Sequence, residues 1–274
     1  GTSAPEILVS VTAAASGAGE LAVGNALGSN IANIGLVLGL TLIISPILVG
    51  RTTAFTDLPL LLAITILCGW LLHDGSLTAF DASVLSAALL LYFIRIAIHL
   101  RKPGVNDDTA EMESLPIGKA VGAFFVGLVV LVGSSKVLVW AAVNIAAGFG
   151  VSELVIGLTI VALGTSLPEL AASMLSALKG HADIAIGAVV GSNMFNLLIV
   201  LALPGFFAPL TLSITDIQRD LGTVFVTTAT LAALTWLGWR KEANHALLGR
   251  AAGCLFLSFY VGYCLWIYYD ISKV

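Results

Sequence analysis

Charge is what this 274-residue chain has least of: only 10% of its residues are Asp, Glu, Lys or Arg, against about 25% in ordinary soluble domains. With 58% hydrophobic residues beside that scarcity, a soluble fold is excluded. The 12 basic residues form no stripe or block and the formal net charge is −4, so nothing here would hold nucleic acid. Cysteine is rare too. Cys68, Cys254 and Cys264 all sit inside apolar runs, where a thiol behaves as a small hydrophobe, and this argues against a disulfide framework or a thiolate metal site. The four histidines, His73, His99, His181 and His245, fall at segment ends and read as solvated. No basic stretch precedes the first motif, so a cleaved signal peptide is not expected.

What the chain does have is length of uncharged run: Leu21 to Gly50, Ile184 to Thr215, Leu221 to Trp239 and Ala251 to Tyr269. About 20 apolar residues cross a hydrocarbon core as a helix. Breaks at Pro, Gly and charged clusters predict nine helical segments, roughly 5–17, 21–46, 58–73, 82–100, 116–147, 152–178, 183–204, 220–238 and 246–269. The fold class is thus an all-α polytopic membrane protein. One polar linker, RKPGVNDDTAEMES, begins at Arg101 and divides the chain into a first transmembrane half (1–100), a linker (101–115) and a second half (116–274). If that linker is cytoplasmic and the segments alternate, all basic residues but Lys136, Arg219 and Lys273 fall at cytoplasmic ends, as the positive-inside rule asks. The carboxyl terminus is then expected outside. Trp70, Trp236, Trp239, Trp266, Tyr268 and Tyr269 lie near segment ends, where an interfacial belt and ordinary packing are both open.

Residues 1 to 33 align without a gap on residues 164 to 196, with 14 identities. GTSAPE at Gly1 answers GTSLPE at Gly164, and the pattern G-x-x-x-G-S-N-x-x-N recurs from Gly24 and from Gly187. Such self-similarity marks an internal repeat. The expected orientation puts the two copies in opposite directions through the membrane. Inverted repeats of this kind build secondary transporters whose site lies at the midplane between interrupted helices.

The repeat's carboxylates are Glu6 and Glu169. Glu169 lies ten residues before Lys179, too deep for its side chain to reach the interface. An intramembrane carboxylate costs several kcal/mol unless it meets a polar cavity, a proton or a cation. Pro168 has no N–H, which leaves the carbonyl of Gly164 without its helical donor, and Pro5 does the same to Gly1. Backbone oxygen at membrane depth is tolerated where it lines a cavity. Ser29 and Asn33 are four apart, as are Ser192 and Asn196, so each pair shares a helix face. With Thr2, Ser3, Thr165 and Ser166 they complete an inventory of neutral oxygens. Gly24, Gly28, Gly187 and Gly191 read as close-packing positions, and Asn30 and Asn193 as packing residues. Two carboxylates among hard oxygens suit Ca²⁺, and the same set can hold Na⁺.

On these motifs the chain resembles the sodium/calcium exchanger family of the cation/calcium antiporter superfamily. The resemblance implies two inverted five-helix halves, ten transmembrane helices, a bacterial or archaeal inner-membrane location, and exchange of Na⁺ for Ca²⁺ by alternating access. It implies Ca²⁺ and Na⁺ as cargo with no cofactor. By that resemblance Glu6 and Glu169 are central calcium ligands, with Thr2 and Thr165 beside them. Ser3, Ser29, Ser166 and Ser192 flank them as sodium ligands, Asn33 and Asn196 take the central position, and Ala162 offers its backbone carbonyl. Some members have Asp where this chain has Asn196, so K⁺ coupling and a third protonatable carboxylate are not expected. About 48 residues precede GTSLPE in the second half and none precede GTSAPE. The first helix and half of the second are therefore expected to be missing. A proton-coupled Ca²⁺/H⁺ exchanger, a channel and a non-transporting ion-binding fragment are the alternatives.

Overall fold

The computed structural model describes residues 3–100 and 117–272. Thr2, the whole 101–115 linker and Lys273 lie outside them. The described residues form ten helices. α1 is Ala4–Ala15 and α2 is Gly19–Ile44. α3 is Thr53–Leu71, α4 is Ala79–Leu100 and α5 is Ile117–Phe149. α6, Glu153–Thr165, and α7, Leu167–Leu178, meet at a bend of 41°. α8 runs through 182–207, α9 is Ile214–Leu237 and α10 is Arg250–Ile271. The nine expected segments are recovered, the sixth being the broken pair α6 and α7. Six of the described helices are long and apolar enough to cross a membrane, or seven if the bent pair counts as one span.

Sequence chemistry explains the ends. The Ser152 hydroxyl accepts the Val155 N–H at the start of α6, and Ser213 accepts that of Asp216 at the start of α9, each satisfying a donor that the first helical turn leaves open. Inside helices, Thr41, Thr65 and Thr235 donate their hydroxyls to carbonyls four residues back, at 2.7–2.8 Å. This is how a hydroxyl survives where no water reaches.

The central helices are α2, whose most apolar stretch is 78% buried, and α8, at 67%; the corresponding stretch of α4 is 17% buried and that of α10 22%. α2 is gripped on two sides by glycine contacts. A Cβ at Gly24 or Gly28 would lie 2.3 or 2.5 Å from backbone oxygens of α6, and one at Gly253 of α10 would lie 2.7 Å from the Gly39 carbonyl. Small residues let membrane helices approach backbone to backbone. The packing expected of Gly187 and Gly191 is not found: nothing described lies within 4 Å of a Cβ built at either.

Five short strands were not expected from the sequence. β1 (Ile47–Gly50) pairs antiparallel with β5 (His245–Leu248), with Ile47 opposite Leu248, and β4 (Trp239–Arg240) pairs on the other side of β5. β2 (Ser76–Leu77) pairs with β3 (Leu210–Thr211), with Leu77 opposite Leu210. β5 thus corrects the last segment, whose helix starts at Arg250 rather than 246. β1 precedes α3 and β2 follows it, so the two sheets sit at opposite ends of that helix.

Arg219, the basic residue that broke the charge asymmetry from within α9, is buried in ion pairs. Its Nε lies 2.7 Å from Asp220, and its Nη1 lies 2.9 Å from Asp216 and 3.2 Å from Asp270. The Tyr263 hydroxyl donates to Asp220 at 2.9 Å. These contacts tie α9 to the end of α10.

The glycine contacts make a paired prediction. Gly28→Ala forces a methyl against the α6 backbone and should destabilise by about 1–3 kcal/mol, whereas Gly191→Ala, the repeat-related change, should be neutral or slightly stabilising. Thermal unfolding of the purified protein in detergent micelles reads both, and equal melting points would contradict the assigned packing.

Candidate functional site

α1 and α7 begin alike. Pro5 and Pro168 occupy the first turn, where a missing N–H costs nothing. Glu6 and Glu169 follow them directly, at the helix end whose free amides favour negative charge. The Ile7 N–H reaches the Ser3 carbonyl at 3.2 Å, and the Leu170 N–H reaches the Ser166 carbonyl at 3.0 Å. Further along, Ser10 donates to the Ala22 carbonyl, and Ser173, its repeat partner, donates to that of Ala185. Local geometry therefore recurs at the offset of the sequence repeat.

Both glutamates are fully buried and close enough to repel one another. Thr165 stands beside Glu6, yet neither carboxylate oxygen of Glu6 has a hydrogen bond of sound geometry. Around the pair, the Ser3 hydroxyl donates to Ser192 Oγ at 3.0 Å, and Ser192 donates to Glu169 Oε1 at 3.4 Å. Ser29 and Thr165 share a hydrogen bond of 3.2 Å. The Asn33 amide donates to Asn193 Oδ1 at 3.0 Å. Asn33 and Asn196 each open a π-helical turn, Asn33–Leu38 and Asn196–Val200, a local widening that often marks functional sites. The turn in α8 packs on α1 and α2.

Several buried oxygens and amides here have no partner among the described residues: both Glu6 oxygens, Asn33 Oδ1, Ser166 Oγ, and both polar atoms of the Asn196 amide. Unpaired buried polar groups are rare and costly. Of the residues singled out in the sequence, Ser3, Glu6, Ser29, Asn33, Thr165, Ser166, Glu169, Ser192 and Asn196 are buried in the helices meeting here, while Thr2 lies outside the described residues. The Ala162 carbonyl accepts the Ser166 N–H at 3.0 Å and is within 3.2 Å of the Thr165 hydroxyl. Among the described residues no three or more His, Cys, Asp or Glu are grouped so as to hold a metal ion; two carboxylates and neutral oxygens are what the described residues place here.

Asn193, expected only to pack, supports the site: it receives Asn33 and donates to the Asn30 carbonyl at 3.3 Å. Asn25 was missed altogether. It is fully buried and contacts both α1 and α6. It escaped notice because the repeat partner at its position is Ala188.

Residues 1–98 and 119–269 match the sequence profile described as sodium/calcium exchanger protein. The chain belongs to the sodium/calcium exchanger family. Among its relatives, CaxA of Alkalimonas amylolytica is 40% identical over 271 residues, covering 96% of this chain and 83% of the relative. The inner membrane protein YrbG of Escherichia coli is 34% identical over 275 residues, covering 97% and 82%. The fold matches a solved structure of the sodium-calcium exchanger NCX_Mj soaked with Na⁺ and Sr²⁺, with a TM-score of 0.68 and 32% identity over 95% of this chain and 81% of that one. The exchanger described here is therefore a multi-span, mostly helical membrane protein.

In this exchanger, Asn193→Ala strips Asn33 of its acceptor and leaves the Asn30 carbonyl without that donor. A loss of about 1–3 kcal/mol in stability is expected, measurable by urea or thermal unfolding in detergent. Wild-type stability in that variant would remove Asn193 from the supporting network.

Proposed function

We propose that this exchanger moves Ca²⁺ and Na⁺ in opposite directions across a bacterial or archaeal inner membrane by alternating access, with both ions competing for one oxygen cluster. The observation that carries this is the Glu6 carboxylate, buried within reach of the charge of Glu169 and with no hydrogen bond of sound geometry to either oxygen among the described residues, among neutral polar atoms that also lack partners there. A bare pair of like charges in a medium of low dielectric is strongly unfavourable. A divalent cation between them converts repulsion into attraction, and Ca²⁺ accepts six to eight oxygens in flexible geometry.

In this scheme Glu6 and Glu169 hold Ca²⁺, with Thr2 and Thr165 adding oxygens. Ser3, Ser29, Ser166 and Ser192, with the Ala162 carbonyl, hold Na⁺ on either flank, and Asn33 and Asn196 bridge the centre. Relatives support the choice of ions: NCX_Mj was solved after soaks with Na⁺ and with Ca²⁺ or Sr²⁺. Occlusion of an unfilled pair is what the design forbids. Because a ligand shifts access only through its different affinity for the two states, the loaded site switches and the empty one does not, so exchange results rather than leak. The two halves, 1–100 and 116–274, are taken to be inverted in the membrane, with the 101–115 linker in the cytoplasm and the carboxyl terminus outside. Arg219 does not oppose that orientation, since its charge is committed to three aspartates.

The test is Ca²⁺ uptake into proteoliposomes. Uptake driven by an outward Na⁺ gradient is expected, and uptake driven only by a pH gradient would replace Na⁺ with H⁺ as the coupling ion. Flux indifferent to both gradients would indicate a channel. Glu6→Gln and Glu169→Gln each remove one charged ligand, costing roughly 2–5 kcal/mol of Ca²⁺ binding and raising half-saturation about 30-fold or more. Unaltered transport in either variant would overturn the assignment.

A further inference from the structure

Building on the exchange proposed above, we propose that Asn30 is a positioning residue for Asn196: its side-chain oxygen receives the Asn196 amide when a cation takes the Asn196 oxygen, as Asn193 already receives the amide of Asn33. In a buried site, an amide that offers its oxygen to a cation must seat its NH₂ on some acceptor. For Asn33 that need is met. Asn193 Nδ2 donates to the Asn30 backbone carbonyl at 3.3 Å, and a carbonyl only accepts, so Asn193 must present Oδ1 to Asn33. Asn33 Nδ2 donates to it at 3.0 Å, which leaves Asn33 Oδ1 over, without a partner among the described residues.

The repeat carries Asn33 to Asn196 and Asn30 to Asn193. Applied to the bond from Asn33 to Asn193, it calls for a twin from Asn196 Nδ2 to Asn30 Oδ1. That twin is not formed, and both of its atoms are buried without a hydrogen bond among the described residues. The Asn30 NH₂ is held by the Ala26 carbonyl of its own helix at 2.8 Å, so the oxygen is the end left over. The two residues are neighbours in the fold. Asn193, one turn before Asn196 on the same face, already sits on the Asn30 carbonyl, and the π turn that Asn196 opens packs on α2. Away from the centre the repeat does carry contacts over, since Ser10 and Ser173 donate alike to Ala22 and Ala185. At the centre it does not. Ser3 donates to Ser192, while the hydroxyl of Ser166, the repeat partner of Ser3, has no partner among the described residues. One half has its central amide seated and the other has the seat but not the bond.

Asn30→Thr separates this role from packing. A threonine hydroxyl keeps the bond to the Ala26 carbonyl, as Thr41 does to Val37 and Thr65 to Leu61, but removes the amide oxygen; Asn30→Ser is the second variant should that one not fold. In the purified full chain, Ca²⁺ affinity is read by isothermal titration calorimetry and Na⁺ affinity from its competition with Ca²⁺. Asn30→Thr is expected to weaken both ions about three- to tenfold, the size of one hydrogen bond's net contribution, while the melting point without added ions stays at the wild-type value. In an Asn196→Ala background, where no amide seeks Asn30, it should weaken them no further. Wild-type affinity in Asn30→Thr, an equal loss in the Asn196→Ala background, or a fall in the ion-free melting point like that expected of Asn193→Ala would overturn the proposal. A wild type that binds both ions yet does not exchange them defeats the function above while these affinities still decide the role of Asn30, and one that binds neither defeats both.

Discussion

Two buried carboxylates of like charge are the constraint on which the rest of this molecule depends. Glu6 and Glu169 are fully buried and mutually repulsive, and a membrane interior offers neither solvent nor salt to screen them. The helices that meet there are broken, widened or glycine-rich rather than smooth. Proline starts α1 and α7, a π turn begins at Asn33 and at Asn196, and α2 crosses α6 with glycine at the contact.

Much of the site was legible because the repeat wrote it twice. GTSxPE and GSNxxN name the buried glutamates, serines and asparagines, and proline chemistry alone anticipates the break between α6 and α7. The same signal sets the limit. Asn25 is invisible to a comparison of the two halves because its counterpart is Ala188. Asn193 was discounted from helical geometry alone, since its side chain points away from Ser192; its value comes from Asn33 on another helix.

The fold was legible at the level of segments and less so at their ends. Ile47–Gly50 and His245–Leu248 are short stretches made mostly of apolar residues. Within a single stretch of sequence such runs cannot be told from the frayed end of a membrane helix, and each finds its partner roughly two hundred residues away. The glycines of the second copy show the opposite failure. Gly187 and Gly191 match Gly24 and Gly28 in sequence, but none of the described residues lies within 4 Å of a Cβ built at either, because close packing is a property of two surfaces and the sequence motif describes only one.

The strands bear on where this molecule can flex. β1 and β2 bracket α3, while β3 and β4 bracket α9, and the two helices also pack along their length. The Trp236 indole adds a 2.7 Å bond to the Ala54 carbonyl. Together these form a closed frame, riveted at top and bottom by main-chain bonds between distant parts of the polypeptide. Prising the frame apart at either end would cost several such bonds at once. Among the described residues, α1, α5, α6 and α7 carry no strand at either end, so the helices that bring the paired acids together are held by side-chain packing rather than by such rivets.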